Sequence, residues 1–343
     1  LDARYQLIKK IGQGGMGEVW KARDLAASRD VAIKYPRRKE GVAGAEHWLA
    51  AEAHTVARLS HPHVVSLLDR TTLPDVEGGE GIPALVFSYV SGKPLTLWCD
   101  RPRPWRWVRH VADQMLDALA YAHGRGVVHL DLKPSNVLLS GDAREPWVNL
   151  LDFGIAAWAA PGRGGPEEIE HRSSGAAGTR AYMAPEQTEG ESGDIGPWTD
   201  LYGLGVVLTQ LLVGTMPFPG ETDDALWAHR LRSRFTPPVQ VMADLGVPLR
   251  RFLLRLLAPD PAQRFGWAAD AKRHLPAEDT ADLTTDQSAF DPGHTDVLEA
   301  VRRPEDRDTD PDTDTDFKFD AGASVGGVGS ITLELSPADD QEM

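Results

Sequence analysis

The sequence predicts an α+β fold of two lobes, an antiparallel sheet with one helix followed by a mainly helical part, and a disordered acidic tail. Residues 5–35 and 63–90 alternate between polar and apolar positions in the manner of strands. From residue 105 onward, apolar residues recur at helical spacing. After residue 276 the composition becomes acidic and poor in aromatic residues, which predicts a segment without a packed core.

The charge of the chain is unevenly distributed. The 343 residues carry a formal net charge of −15, from 51 acidic and 36 basic side chains. Residues 277–343 hold 19 of the acidic and 4 of the basic side chains, which leaves 32 of each sign in residues 1–276. The front of the chain is therefore predicted to be a neutral globular unit. Its balanced charge gives no basic face, so we expect no nucleic-acid partner.

Cysteine content and hydropathy point to a reducing, aqueous compartment. Cys99 is the single cysteine, so no internal disulfide can form. The sequence has no run of eighteen apolar residues, and its first ten residues lack the apolar core of a signal peptide. We therefore expect a cytoplasmic protein without a membrane span.

A glycine-rich turn separates the first two predicted strands, YQLIKKIG and GEVWKARD. Gly12, Gly14 and Gly17 form a GxGxxG pattern, which lets backbone N–H groups approach phosphate oxygens without an intervening Cβ. The pattern alone is also compatible with an ordinary hairpin. A dinucleotide-binding fold would follow the glycines with a helix, whereas a strand follows them here. The GxxxxGK[ST] signature of P-loop proteins is absent.

The third predicted strand, DVAIKY, places Lys34 among apolar residues. A buried lysine requires an acidic partner or a phosphate, because an unpaired buried charge is costly. The next segment, AEHWLAAEAHTVARLS, has helical spacing and offers Glu46 and Glu52. The residues themselves leave the choice between these two glutamates open.

Two more strands and a long helix are predicted between residues 63 and 124. The strands are predicted at 63–73 and 82–90, around the polar turn PDVEGGEG, and Ser91-Gly92 has the composition of a joint between lobes. An amphipathic helix begins at Trp105 and ends near Gly124. Its tryptophans either pack at the helix start or mark a partner surface. Further helices are predicted at 199–214, 222–233, 247–257 and 267–275.

The stretch VVHLDLKPSNVLL at 127–139 places polar residues between two apolar runs. Apolar runs on both sides predict a short polar loop between short strands. Asp131 supplies a carboxylate, Lys133 an ammonium and Asn136 an amide. Phosphoryl transfer from ATP needs such a set: a carboxylate to accept a hydroxyl proton, a cation facing the phosphoryl oxygens, and an oxygen that holds a metal ion.

A strand predicted at 147–153 delivers Asp152, Phe153 and Gly154, sixteen residues after Asn136. Asp152 can bridge to magnesium, Phe153 can pack beneath it, and Gly154 frees the backbone to turn. The segment 155–178 is rich in glycine, alanine, proline and charge, as is typical of a mobile loop.

In this order the motifs resemble eukaryotic-type (Hanks-type) serine/threonine protein kinases of bacterial style. The resemblance is carried by IGQGGMGEVWKARD, VAIK, HLDLKPSN, DFG and GTRAYMAPE, and it covers about residues 5–276. It implies a bilobal kinase domain at 1–276, with a small lobe at 5–90 and a large lobe at 91–276, before the tail at 277–343. It also implies ATP and Mg²⁺ as cofactors, protein substrates that present serine or threonine, and autophosphorylation.

The resemblance also implies roles for single residues. Asp131 orients the substrate hydroxyl and accepts its proton, and Lys133 stabilises the phosphoryl group in transfer. Lys34 grips the α- and β-phosphates, and Glu52, which lies shortly before His61-Pro62, is its implied partner. The other implied positions are Gly12, Gly14 and Gly17 over the phosphates; Val19, Ala32 and Leu138 around adenine; Ser88, Tyr89 and Val90 at the hinge after Phe87; Asn136 and Asp152 at magnesium; Thr179 beside the catalytic pair; Asp200 under the loop; and Glu186 with Arg264 as a distant ion pair.

Leu130 departs from the family pattern, in which an arginine precedes the catalytic aspartate. That arginine bonds to a phosphate on the activation segment in many kinases, and leucine cannot do so. We therefore expect activity that depends little on such a phosphate. The hydroxyls available nearby are Ser173, Ser174 and Thr179.

The acidic tail allows two interpretations. It is either a solubilising segment without a further role or a docking site created by phosphorylation. Thr309 and Thr313 each have an aspartate three residues later, Asp312 and Asp316. This spacing resembles the phosphothreonine pattern that forkhead-associated domains read, so an Arg-lined partner of that kind is expected if the kinase modifies its own tail.

Two other classes of protein remain as alternatives. In a pseudokinase scaffold the fold survives and the tail recruits partners, and Leu130 is the one feature in its favour. Intact Lys34, Asp131, Asn136 and Asp152 argue against that interpretation. A small-molecule phosphotransferase of related fold is the second alternative, and the peptide platform motif GTRAYMAPE argues against it.

Overall fold

The computed structural model describes residues 4–14, 17–36, 45–73, 81–153, 180–187, 195–218 and 242–280. They form two lobes, a sheet with one helix and then a mainly helical part, so the predicted α+β bilobal fold is confirmed. The strands are β1 Tyr5–Gly14, β2 Gly17–Asp24, β3 Arg29–Tyr35, β4 Leu67–Leu73, β5 Ile82–Ser88, β6 Lys93–Pro94, β7 Val137–Ser140 and β8 Trp147–Leu150. The helices are α1 Ala45–Val56, α2 Trp105–His123, α3 Pro197–Val213, α4 Val247–Leu256 and α5 Ala268–Arg273.

The small lobe is an antiparallel sheet with the strand order β1-β2-β3-β5-β4. Because side chains alternate between the faces of a strand, its register divides apolar core from cleft. Val19 lies opposite Lys34, and Ala32 lies opposite Phe87, so these side chains share one face. The other face is a buried cluster of Ala22, Val31, Ile33, Ala84 and Val86.

Gly17 marks the point where the sheet requires a glycine. Its φ is 150°, and a Cβ added there would lie 2.2 Å from the carbonyl oxygen of Tyr35. A larger residue would therefore push β2 away from the end of β3, next to the glycine-rich turn. The tip of that turn, residues 15–16, lies outside the described residues.

The predicted strand at 63–73 is shorter than expected. β4 begins at Leu67, because residues 63–65 bond to the end of β8 instead of to β5. The N–H of Val65 donates to the carbonyl of Leu150 (3.0 Å), and the N–H of Leu150 donates to the carbonyl of His63 (2.8 Å). These bonds join the small lobe to the strand that leads into the site. Residues 74–80 of the predicted polar turn lie outside the described residues.

The large lobe is built around α2 and α3. The predicted amphipathic helix is confirmed, and the two tryptophans at its start are buried. α3 is apolar on nearly all sides, as a central helix should be, and Gly214 ends it in the left-handed conformation at φ 74°. The helices predicted at 247–257 and 267–275 are found with ends one to two residues shorter, and the helix at 222–233 lies outside the described residues.

Candidate active site

The polar loop, residues 129–136, is held from beneath by a buried carboxylate. Asp200 accepts hydrogen bonds from the backbone N–H groups of His129 (2.7 Å) and Leu130 (2.8 Å), and its Oδ2 lies 2.9 Å from Nε2 of His123. These N–H groups are therefore not used for strand pairing, and the strand predicted before the loop was wrong. Leu130 has a φ of 65°, a conformation that a non-glycine residue keeps only when its surroundings impose it.

Three of the predicted side chains meet within the polar loop. Nζ of Lys133 lies 2.8 Å from Oδ2 of Asp131. The amide nitrogen of Asn136 donates to the backbone carbonyl of Asp131 (2.8 Å) and to its Oδ2 (3.0 Å). Pro134 opens a 3-10 turn that brings Asn136 back towards Asp131. Because the amide nitrogen faces Asp131, the amide oxygen of Asn136 points to the other side, where it can meet a cation.

β8 brings Asp152 beside Asn136. The N–H of Leu151 donates to the carbonyl of Asn136 (2.9 Å), and Nε2 of His129 donates to the carbonyl of Leu151 (2.8 Å). The rings of His129 and Phe153 pack with 4.5 Å between their centroids. Asp152 has a φ of 54°, and its side chain remains 44% exposed towards the cleft. Gly154, the last residue of the predicted tripeptide, lies outside the described residues.

Lys34 links three parts of the chain that are far apart in sequence. Its Nζ lies 2.9 Å from Oε1 of Glu52 on α1 and 2.7 Å from Oδ1 of Asp152. The structure thus pairs Lys34 with Glu52, one of the two glutamates that the sequence offered. Burial lowers the pKa of Lys34, but the carboxylates of Asp152 and Glu52 outweigh it and hold that pKa above its ordinary value. The partial removal of Asp152 from water raises its pKa, but the neighbouring Lys34 outweighs this effect, so the Asp152 pKa lies below its ordinary value.

An open apolar face lies next to this ion pair. Val19, Ala32 and Leu138 remain partly accessible, whereas their neighbours along β3 and β7 are buried in the core. Gly12 pairs with Val19 across β1 and β2, so the glycine-rich turn borders the same face. Two strands of the small lobe and one strand of the large lobe thus each present an apolar side chain that the core does not fully cover.

The predicted hinge begins at the last residue of β5. Ser88 ends that strand, and its N–H donates to the carbonyl of Ser66 (2.9 Å). Tyr89 and Val90 continue beyond the end of the strand, and Nζ of Lys21 lies 4.5 Å from the centroid of the Tyr89 ring. Phe87 precedes them and pairs with Ala32. The hinge residues therefore stand at the edge of the open apolar face.

The segment 180–187 is fixed to the helical lobe by a buried ion pair. Arg264 donates from Nη1 (2.7 Å) and Nη2 (2.9 Å) to the two carboxylate oxygens of Glu186. The hydroxyl of Thr199 donates to the same carboxylate (2.9 Å). A bidentate pair of this kind sets both distance and orientation. A small cleft separates this segment from the polar loop, with Asp131 and Tyr182 among its lining residues.

Two buried polar residues beside the site had no sequence signal. His123 contacts Asp200, and Gln187 donates to the carbonyl of Leu130 (2.8 Å). Neither position belongs to a periodic pattern, and their partners are 77 and 57 residues away along the chain. Other predicted positions lie outside the described residues, namely Thr179, Ser173, Ser174, Thr309 and Thr313.

Comparison with known proteins gives a consistent family assignment. The family model described as "Protein kinase domain" matches residues 5–275. The chain is 33% identical over 306 residues to the serine/threonine-protein kinase Pkn1 of Myxococcus xanthus, which covers 86% of this chain and 41% of Pkn1. It is 34% identical over 284 residues to pkn3 of the same organism, with 80% and 50% covered.

A mycobacterial relative gives a similar result. The serine/threonine-protein kinase PknB of Mycobacterium leprae is 32% identical over 279 residues, which is 80% of this chain and 43% of PknB. The chain therefore spans half or less of the length of these curated relatives. Among the described residues, no helix is both long enough and apolar enough to cross a membrane.

Proposed function

The chain belongs to the protein kinase family, in the branch of bacterial Hanks-type serine/threonine kinases, and we propose that it transfers the γ-phosphate of ATP to serine and threonine hydroxyls of proteins. The observation that carries the proposal is the contact of Lys34 with both Glu52 and Asp152, beside the loop that holds Asp131. A lysine between two carboxylates at the floor of an open cleft is suited to a polyphosphate bound with a cation.

ATP would lie in the gap between the lobes. We propose that the backbone of Gly12, Gly14 and Gly17 covers the phosphates, since glycine lets N–H groups approach them closely. Adenine would pack between apolar side chains and take its hydrogen bonds from the hinge backbone. The residues proposed for these contacts are Val19, Ala32 and Leu138 around the ring, and Ser88 and Val90 at the hinge. The partial accessibility of Ala32 and Leu138 between buried neighbours, and the position of Val19 opposite Lys34, support this placement.

Members of this family use ATP, in general with Mg²⁺, and the donors of this chain fit that ion. Magnesium prefers oxygen ligands and is usually held by one or two carboxylates together with phosphates. Asp152 and the amide oxygen of Asn136 would provide the protein ligands, while Mg²⁺ would neutralise charge on the phosphates. Within the part of the chain that the structure describes, no three or more His, Cys, Asp and Glu side chains form a group that could hold a metal ion. The proposed Mg²⁺ site therefore relies on the phosphates of ATP for its remaining ligands.

In the proposed reaction, Asp131 accepts the proton of the substrate hydroxyl while the hydroxyl oxygen bonds to the γ-phosphorus. The bond from that phosphorus to the bridging oxygen of ADP breaks. Lys133, 2.8 Å from Asp131, faces the transferring oxygens and offsets their charge. Lys34, set by Glu52, holds the α- and β-phosphates. Thr179 is proposed to contact the Asp131–Lys133 pair, by resemblance alone. The protein takes little part in the covalent chemistry, so the rate enhancement comes from positioning the reactants and stabilising their charge.

The pseudokinase scaffold remains the alternative function. Leu130 is the feature that favours it, because the arginine found there in many kinases is missing. The pairing of Lys34 with Glu52 and Asp152 favours the enzyme, since a scaffold has no need of a lysine between two carboxylates in the cleft. A small-molecule phosphotransferase is less well supported, because the 180–187 segment is rigidly anchored beside Asp131, where a peptide would lie.

The partners and location are further parts of the proposal. Protein substrates follow from the family. The tail threonines Thr309 and Thr313 would be autophosphorylation sites that a forkhead-associated domain reads, on the evidence of their spacing to aspartate alone. A cytoplasmic location is supported by Cys99, the single cysteine, which is buried in reduced form.

The test is the intact mass of the chain before and after incubation with Mg-ATP, with phosphorylation sites mapped. Asp131→Asn is the matched variant, because it keeps the size of the side chain and removes the proton acceptor. We expect phosphate on the natural chain and none on the variant, while both bind ATP. Equal incorporation in both would contradict the proposed role of Asp131. ATP binding without phosphate transfer to the chain or to a generic protein substrate would favour the scaffold.

A further inference from the structure

Gln187 connects the polar loop to the 180–187 segment through a single buried side chain. Its amide nitrogen donates to the carbonyl of Leu130 (2.8 Å), and its amide oxygen accepts from the N–H of Ala184 (2.9 Å). The residue is 8% exposed, so water competes little for either bond. Both ends of the side chain are therefore used, one on the polar loop and one within the 180–187 segment.

The carbonyl that Gln187 holds belongs to the peptide from which Asp131 projects. Leu130 is in the left-handed conformation, with a φ of 65°, which is unfavourable for a non-glycine residue and must be imposed by its neighbours. Asp200 holds its N–H (2.8 Å), and Gln187 holds its carbonyl. With both backbone groups fixed, the direction of the Leu130–Asp131 peptide is fixed as well. The position of the Asp131 carboxylate depends on that direction.

The side chain of Leu130 is buried by apolar neighbours that lie outside the 180–187 segment. It is 6% exposed and forms a small cluster with Val128, against which Ile195 packs. At Leu130 the polar loop meets the 180–187 segment through the hydrogen bond from Gln187, which joins two uncharged groups. A link of this kind is not expected to depend on a phosphate group.

We propose that Gln187 is a positioning residue for Asp131, holding the Leu130–Asp131 peptide at a set distance from the 180–187 segment without the help of phosphorylation. The inference rests on the proposed kinase function, because the hydroxyl that Asp131 must meet belongs to a substrate lying along that segment. The hydrogen bonds of Gln187 go to backbone groups of Leu130 and Ala184, and not to the side chains proposed to meet ATP or the substrate hydroxyl. Its effect should therefore appear in turnover rather than in nucleotide affinity.

The test compares Gln187→Met with Gln114→Met. Gln114 is a matched control because it is also 8% exposed and also bridges two backbone groups, the carbonyl of Pro146 (2.9 Å) and the N–H of Val148 (2.9 Å). Gln114 lies on α2, and its side chain meets the start of β8, outside the polar loop. Each variant loses one accepted and one donated bond in a buried place, and Gln114→Met also loses the longer bond that Gln114 donates to the carbonyl of His110 (3.2 Å). We expect similar losses of Tm in the two.

The two variants should differ in kinetics. For Gln187→Met we expect kcat per folded molecule to fall by about tenfold, which is about 1.4 kcal/mol in the barrier, with KM for ATP within about twofold of the natural chain. Gln114→Met should keep kcat within about twofold. A Gln187→Met variant with natural kcat, or one whose kcat falls no further than that of Gln114→Met, would overturn the proposal.

Amide hydrogen exchange separates failure of this inference from failure of the proposed function. In the absence of ATP, peptides that cover 127–132 and 183–187 should exchange faster in Gln187→Met than in Gln114→Met. If the natural chain proves inactive, the kinase proposal fails, and the exchange comparison still decides whether Gln187 orders the polar loop. Equal exchange in the two variants would refute the positioning role whatever the activity.

Discussion

At the scale of single residues, the site depends on charges that cannot be removed one at a time. Lys34 is 7% exposed and Glu52 is fully buried, so each needs the other to remain ionised in the core. Removing one partner of a buried pair leaves an uncompensated charge, which costs more than the pair contributes. Asp152 shares the same lysine but stays partly exposed, so a cation and phosphates can take over its charge when ATP binds.

This arrangement predicts a specific effect for Glu52→Gln. The amide can still accept from Lys34 but no longer offsets its charge. Lys34 should therefore shift towards Asp152 and away from the position proposed for the phosphates. We expect kcat/KM for ATP to fall about tenfold or more and the free energy of unfolding to fall by about 1–3 kcal/mol. Steady-state kinetics and urea unfolding measure the two quantities.

Glu46→Gln is the control for that change, because Glu46 was the other glutamate that the sequence offered to Lys34. It lies on the same helix, and the same chemical change there should leave kcat/KM for ATP within about twofold. Loss of activity in Glu46→Gln with none in Glu52→Gln would mean that the lysine uses a different partner during turnover.

Leu130 predicts independence from phosphorylation of the nearby serines. Ser173 and Ser174 lie outside the described residues, but leucine at position 130 offers no cation to bind a phosphate placed on them. Changing both serines to alanine should leave turnover near that of the natural chain. A fall of more than about tenfold, or about 1.4 kcal/mol in the barrier, would count against the idea. Phosphatase treatment of the natural chain is the parallel measurement.

At the scale of elements, the edge of the small lobe is fastened by a charged cluster before β1. Arg4 donates from Nε (3.0 Å) and Nη2 (2.9 Å) to both carboxylate oxygens of Asp24, and from Nη1 to Asp69 (2.6 Å). The hydroxyl of Tyr5 donates to the same Asp69 oxygen (2.9 Å). One arginine thereby joins the start of β1, the end of β2 and the irregular part of β4. The small lobe should be sensitive to its loss.

The cluster predicts how stability changes with pH. Hydrogen bonds from Arg4 lower the pKa of Asp24 to about 2, against about 3.9 in an unfolded chain. A depressed carboxyl pKa stabilises the fold above the unfolded value and loses that effect as pH falls through the folded value. Asp24→Asn should therefore lower Tm by more than about 2 °C at pH 6, and the difference should shrink between about pH 4 and pH 2.

Thermal unfolding at a series of pH values checks this dependence, with Asp142→Asn as the control. Asp142 is an exposed aspartate in the turn before β8, where it accepts from the N–H of Arg144. Its replacement should leave the pH profile of Tm parallel to that of the natural chain. A Tm difference for Asp24→Asn that is constant with pH would show that the ionised carboxylate is not the source of the stability.

The contrast between these elements explains what the sequence could predict. Lys34 and Asp131 sit in short motifs whose residues and order can be recognised in the sequence, and the family resemblance of those motifs implies their roles. Arg4 and Gln187 act through partners brought near by folding, and no period or motif marks them. The false strand before the polar loop has the same origin, because the distant Asp200 takes the N–H groups that a strand would use.

At the scale of the whole molecule, contacts rather than composition determine where the predicted kinase domain ends. The acidic composition begins at residue 277, yet the described chain stays on the large lobe through that point. Nε1 of Trp105 donates to the carbonyl of Ala277 (2.8 Å), and Nε of Arg109 donates to the carbonyl of Pro276 (2.8 Å). The start of α2 thus binds the first residues of the predicted tail. The boundary at 276 stays a prediction.

Two truncations locate the functional end of the domain. A chain ending at Thr280 keeps both of these bonds and should melt within about 1 °C of the full chain. A chain ending at Leu275 loses both bonds, and the buried Trp105 is left without its acceptor. This loss should cost about 1–3 kcal/mol, or roughly 2–6 °C in Tm.

Arg106→Ala in the full chain is the control. Its contact with Glu278 (3.5 Å) is exposed and should contribute little, so Tm should not change. Equal Tm values for the two truncations would place the end of the folded unit before residue 276.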